Sequence, residues 1–322
     1  MKFKTGLAAI AGVLPASLVA IVLFLTVYSW PAIRFNGFHF LVSNHWNLGN
    51  LYADPVTVAG TQVAPGAHYG ILFLIVGTLL TTLVALLIAL PVGVGAAIFL
   101  AEAVPGRLRL WLSFLVELLA AVPSVVFGLW GYVVVIPFLG QHLFPFLSRI
   151  FGFVPFFAGP SGSGYGLLTS GFVLSLMIVP LIVATLRDAM VSQPPAIREA
   201  VTALGATRFE VVAKVILPSL FRVLVGATIL AVGRALGETM AVLMVSGNAL
   251  NYLPHNIYAP ISTMAAFIVS QLDSAMQDPT GMAVRSLAEI ALMLSLLSLL
   301  INFLARLVLA IENRSARHAT IV

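Results

Sequence analysis

The chain has no cysteine. A disulfide framework and any thiolate metal or redox site are therefore excluded, and the redox compartment is left open. Charge is also scarce: Asp, Glu, Lys and Arg make up 8% of the 322 residues, where a soluble domain carries about a quarter. That shortage, with 61% hydrophobic residues and a mean hydropathy of +1.09, places the chain in a bilayer. The six histidines, at 39, 45, 68, 142, 255 and 318, form no His-x-x-x-His metal pattern. No Ser-His-Asp or paired-carboxylate spacing appears either, so no metal site and no enzyme active site is expected. The formal charge of +5 comes from Lys and Arg scattered singly between apolar runs. Membrane topology explains them better than nucleic acid does.

What the chain has is long apolar runs. A helix needs about 20 apolar residues to cross the hydrocarbon core, and six stretches qualify, near 7 to 30, 70 to 101, 111 to 138, 166 to 186, 220 to 247 and 285 to 311. The expected fold is an all-α integral membrane protein of six transmembrane helices. The first run exceeds the length of a signal peptide and lacks a clear small-x-small cleavage site, so it reads as a retained anchor. With the N-terminus inside, Lys2, Lys4, Arg107, Arg109, Arg187, Arg198, Arg208, Lys214, Arg222, Arg306, Arg314 and Arg317 fall on the cytoplasmic side, and only Arg34, Arg149 and Arg285 fall outside. That bias predicts cytoplasmic termini and a cytoplasmic segment at 187 to 219.

Three outer segments follow, 31 to 69, 139 to 165 and 248 to 284. The run Ile261 to Leu272 in the last is too short to span and reads as re-entrant or interfacial. The organisation expected is an anchor and outer loop over 1–69, a membrane core over 70–311 and a cytoplasmic tail over 312–322.

The segment at 187 to 219 is an island of charge. Pro194 and Pro195 open a helix over Ala196 to Leu204, and Gly205 stops it. Thr207 and Glu210 have capping-box spacing for a second helix, and Pro218 forces a bend or stop before the next span. A solvated connector is the plain alternative, but about thirty residues exceed what a connector needs. The mixture of Arg198, Glu199, Arg208, Glu210 and Lys214 with Ala200, Val201, Leu204 and Phe209 offers an amphipathic knob to a soluble partner.

Other features have competing readings. Arg234 and Glu238 stand four residues apart in the fifth run, which predicts one shared helix face. An Arg at mid-bilayer costs about 2.5–3.5 kcal/mol on insertion scales, so it should face a partner or a wet cavity. Gly233 and Gly237 form a Gly-x3-Gly pair that permits close helix contact. Glu117 is a third intramembrane charge, either a packing acid or a protonated group, and Pro91 and Pro123 are expected to kink their spans. Gly159 to Tyr165 imitates a phosphate loop, but Tyr165 takes the place of the required Lys and no Ser or Thr follows, so it reads as a turn.

The run Glu199-Ala200-Val201-x3-Gly205-x9-Val215-x-Leu217-Pro218 resembles the EAA loop of ABC importer permeases, Glu-Ala-Ala-x3-Gly-x9-Ile-x-Leu-Pro, departing at Val201 and Val215. Pro123 to Gly131, Gly233 to Val242 and Ser246-Gly247-Asn248 resemble phosphate-specific permeases, more the C-type subunit than its A partner. The resemblance implies a type I ABC importer permease fold in the cell inner membrane, transport of phosphate by alternating access, and no cofactor on this chain, ATP and magnesium being on the ATPase. It also implies a second homologous permease, two cytoplasmic ATPase subunits and an extracytoplasmic phosphate-binding protein as partners. Arg198, Glu199, Ala200, Val201, Leu204, Gly205, Leu217 and Pro218 would then meet the ATPase. Arg234, with Glu238 orienting it, would lower the barrier for phosphate through the bidentate hydrogen bonds that a guanidinium makes to an oxyanion. The alternatives are a permease for molybdate or sulfate, or a self-contained secondary transporter or channel.

Overall fold

A computed structural model describes the backbone of residues 2–58, 60–159 and 162–319, and the side chains of those from 11 to 307. The side chains of Lys2, Lys4, Arg314, Arg317 and His318, and the residues Pro160 and Ser161, lie outside the described set. Helices dominate: α1 (Lys2–Asn36), α2 (Leu72–Ile98), α3 (Gly106–Ala121), α4 (Ser124–Trp130), α5 (Leu167–Val191), α6 (Pro195–Ala203), α7 (Phe221–Leu236), α8 (Met240–Val245), α9 (Met264–Met276) and α10 (Met282–Ala319). Five stretches are long and apolar enough to cross a membrane: Ala11–Asn36, Leu72–Ala103, Ser124–Phe151, Leu167–Val191 and Met282–Leu307. A sixth arises if Arg208–Ser219 and Phe221–Leu236, bent by 65°, count as one span. The chain is thus a multi-pass helical membrane protein, and the helix Met264–Met276 stays too short to cross.

Two of the six expected spans are placed differently. The third was expected at 111 to 138, but α3 stops at Ala121 and the crossing helix runs over Ser124–Phe151, taking in much of the expected outer segment 139 to 165. Pro123 is the cause. It has no N–H to donate and it drives the preceding residue out of the helical region, so Val122 is extended at ψ 129°. The result is a break where a kink was expected. At Pro91, by contrast, α2 continues through to Ile98. The fifth span, expected over 220 to 247, is interrupted after Leu236 and resumes as the short α8.

The chain divides into two compact units. The first comprises the chain up to Gly77, Asn248–Leu253 and Ile261–Leu299. Here two antiparallel strand pairs, Trp46–Asn47 with His68–Tyr69 and Val56–Val58 with Thr61–Val63, interrupt the all-helical expectation. In the core Trp46 and Phe73 meet Phe267 edge-on and Tyr69 meets Trp46 edge-on, with Met264, Ala283 and Leu287 in the same cluster. The segment between α1 and α2, expected as an outer loop, is therefore a packed structure. Asn251 closes it, accepting from Trp46 N and donating to Trp46 O at 3.1 Å.

The second unit comprises Thr78–Gly247, Pro254–Pro260 and the chain from Leu300. Its core lies along α5, the most buried of the spans. Ala85 and Ala89 of α2, Leu174, Ile178 and Ile182 of α5, and Ala231 and Ala235 of α7 meet there. Small residues on two of the three helices let the backbones approach closely, which is how helices associate where lipid is as apolar as the side chains.

Candidate functional site: a coupling island and a broken helix

The island forms as its local signals dictate. Pro194 precedes α6 and Pro195 is its first residue. The helix ends at Ala203 and the chain reverses at Gly205, whose φ of +86° is left-handed backbone that a residue with a Cβ enters only at a cost. Thr207 and Glu210 complete the capping box: Thr207 Oγ1 accepts from Glu210 N at 3.3 Å and Glu210 Oε2 accepts from Thr207 N at 3.0 Å. Lys214 donates to Glu210 Oε1 at 2.9 Å. That bond first, and the Thr207 bonds next, hold the Glu210 carboxyl down to about 2. The segment continues through a wide π turn, Val211–Ile216, to Ser219, and bends at Leu220 into α7.

The island has an inner and an outer face. Inward, Val211, Ile216 and Leu220 are buried against Ala97 of α2, Ala101 just beyond it, and Leu186 and Met190 of α5, with Val201 and Leu217 at the edge. Outward, Leu204 is 88% and Phe209 is 79% exposed, and Glu199, Ala200, Gly205 and Pro218 are exposed with them. Two large apolar side chains held open among charges mark a contact surface. A groove of about 700 Å³ runs beside Phe209, lined also by Ile98, Glu102, Arg198 and Val212.

Arg198 behaves differently from its neighbours. It turns inward, donating through Nη2 to Met190 O at 2.9 Å and through Nη1 to Glu102 Oε1. A second inward Arg, Arg187, is 9% exposed and donates to Glu117 Oε1 at 3.1 Å and Asp188 Oδ1 at 2.6 Å. The Glu117 carboxylate, itself exposed, ties α3 to α5 through this pair. Sequence spacing gave no sign of either long-range pair, whose partners are 96 and 70 positions apart.

The expectation that Arg234 and Glu238 share one helix face is corrected. α7 ends at Leu236 with Gly237 as its cap, so only Arg234 is helical. Glu238 lies in the break, where its Oε1 accepts from Ala241 N at 3.2 Å at the start of α8. Among the described residues no ion pair joins the two, and Arg234 is exposed. Gly237 supplies the stop, so the Gly-x3-Gly pair serves the break more than a helix seam.

The break brings two separated motifs together. A Cβ on Gly128 would stand 2.9 Å from Ala241 Cα and 2.8 Å from Met244 Sδ, and one on Gly131 would meet Val245. Contacts that advance together along both chains mean that α4 and α8 run parallel. Both begin at the same end, α4 after Pro123 and α8 after Glu238. The segment 159 to 165, expected as a turn, lies in part outside the described residues at Pro160 and Ser161; at its end Gly164 O accepts from Thr169 Oγ1 of α5.

An outward apolar knob and an inward core shared with two spans mark a candidate contact surface on this multi-pass membrane protein, and the broken helix bears an exposed Arg. The chain belongs to the family of binding-protein-dependent transport system inner membrane components, whose model matches residues 93–318. Members of that family are transport components and not enzymes. Within it, the chain is 47% identical over 88% of its length, and 85% of the relative's, to the phosphate transport system permease protein PstC 1 of Mycobacterium tuberculosis. It is 37% identical to the phosphate transport system permease protein PstC of Pasteurella multocida, covering 93% of this chain and 88% of that one. The fold is shared with a crystal structure of a bacterial ABC transporter involved in the import of the acidic polysaccharide alginate, at a TM-score of 0.50 and 18% identity, over 72% of this chain and 76% of that one. This is the type I ABC importer permease fold.

Proposed function

We propose that the chain is the membrane permease subunit of an ATP-driven phosphate importer working by alternating access. The observation that carries this is the 47% identity, over most of both chains, to a relative named as a phosphate transport permease. The exposed Leu204 and Phe209 on a rigid, capped island support the rest of the reading. In this reading the segment 187–219 and both termini face the cytoplasm, and two ATPase subunits carry ATP and magnesium. A second homologous permease completes the membrane part, and an extracytoplasmic phosphate-binding protein delivers the anion. Closure of the ATPases pushes Glu199, Ala200, Leu204, Gly205 and Pro218, while Val201 and Leu217 carry the push inward.

Arg234 stands at the end of α7 beside the break, where it offers a planar fork to a passing phosphate. One Arg attracts the anion without holding it, as conduction requires. Glu238 orients the entry to α8 through Ala241 N and keeps a carboxylate near the path. Uptake by the reconstituted complex tests the substrate: import of labelled phosphate should need ATP and should fall with excess unlabelled phosphate and not with sulfate or molybdate. Equal competition by sulfate or molybdate would make the chain a general oxyanion permease, and uptake by the purified chain without ATPase subunits would make it a secondary transporter or channel.

A further inference from the structure

Glu102 lies outside the island, in the π turn Phe99–Ala103 that ends the span Leu72–Ala103. Its carboxylate takes Arg198 Nη1, and the same guanidinium takes Met190 O at the last turn of α5. The two side chains are 25% and 29% exposed, so the pair is shielded from water on most sides and holds more firmly than a surface pair. One planar fork thus fastens α6 to two spans at once. The apolar layer beneath it, Ala101 with Met190 and Val201, fixes the same three elements. The chain itself joins the island only to α5 and α7.

We propose that Glu102 and Arg198 form a strut that makes the span Leu72–Ala103 move with the island, so that Glu102 is a positioning residue for the coupling of ATP hydrolysis to transport. This rests on the reading that the island receives a cytoplasmic ATPase. Arg198 then belongs to the inner half of the coupling path and not to the docking face. Without the strut, α6 still meets the ATPase through Leu204 and its neighbours, and the push reaches the span Leu72–Ala103 only through the apolar layer of Ala101, Met190 and Val201.

The complex reconstituted in proteoliposomes tests this through phosphate imported per ATP hydrolysed. Glu102→Gln and Arg198→Gln should each assemble with the ATPase and hydrolyse ATP, with the import ratio down about tenfold. The reversed pair, Glu102→Arg with Arg198→Glu, should recover at least half of the ratio. A wild-type ratio in both single variants, or a reversed pair that assembles and recovers nothing, overturns the strut. Loss of ATPase association in Arg198→Gln alone also overturns it, since Arg198 would then be a docking residue. Failure of the unaltered chain to associate with any ATPase is a different result, which removes the underlying reading. Because this chain has no cysteine, a second measurement can be made on it with labels at two introduced positions. Spin labels on Phe99→Cys and Ala203→Cys, both at exposed positions, should give one narrow distance that broadens in Glu102→Gln; an unchanged distribution overturns the strut even where transport is lost through misassembly.

Discussion

Two regions of the same unit handle charge in opposite ways. In the island, Arg198 is bound to Glu102 and Met190 O, and Glu210 is bound to Thr207 and Lys214. At the break after α7, Arg234 is exposed, and Glu238 spends its carboxylate on the Ala241 N–H. The first arrangement resists deformation and the second leaves a cation to be engaged. A piece that transmits a push must be stiff, whereas a group that passes an anion must be able to let it go.

The largest effect that would break this comparison is at Arg234. Arg234→Gln should leave assembly and ATPase activity intact and lower phosphate uptake about 10- to 100-fold, the worth of a charge-assisted hydrogen bond of about 1.5–3 kcal/mol. Wild-type uptake in that variant would remove Arg234 from the path. Next is the parallel packing beside the break. Gly128→Val forces a side chain against the Ala241 backbone and should cost about 1–3 kcal/mol by overpacking, read as a lower Tm in detergent with the island's hydrogen exchange unchanged. An equal loss of protection in the island would make the island and the break one cooperative unit and end the contrast between them.

On the island side, Gly205→Val places a β-branched residue at φ +86° and should cost about 1–3 kcal/mol, seen as weaker association with the ATPase. Thr207→Ala removes the cap and should cost about 1 kcal/mol, seen as faster exchange at the Glu210 amide. The smallest effect is the pH response of that cap. Glu210 is held below its ordinary value, to about 2, so its contribution is complete above pH about 4.5 and fades only as pH falls from there through about 2. Protection at Thr207 N, the amide that donates to the Glu210 carboxylate, should therefore be flat from pH 7 to about 5 and drop below about 4; a drop centred near pH 6 would contradict the assignment.

The same contrast governs how much could be read without coordinates. The island was legible because proline, left-handed glycine and a Thr-x-x-Glu box act within a few residues of themselves. Five spans, and a sixth if the bent pair Arg208–Ser219 and Phe221–Leu236 counts as one, were legible from apolar length. Span three was misplaced because apolar length runs on across Pro123 while the backbone at Val122 cannot. The shared face of Arg234 and Glu238 failed for the same kind of reason, since a spacing of four means one face only while the helix lasts, and α7 ends between them.

Sequence alone therefore determined that this is a multi-span membrane protein with a charged, capped helix-turn-helix island, because bilayer thickness, charge scarcity and local capping are one-dimensional constraints. Only the tertiary structure decided where Arg198 and Arg187 point and which acids they hold. It also decided which motifs lie beside the break and that the segment between α1 and α2 is packed. Partners far apart in sequence are chosen by helix packing, where burying a guanidinium demands a carboxylate or carbonyl within reach, and no spacing rule along the chain encodes that choice.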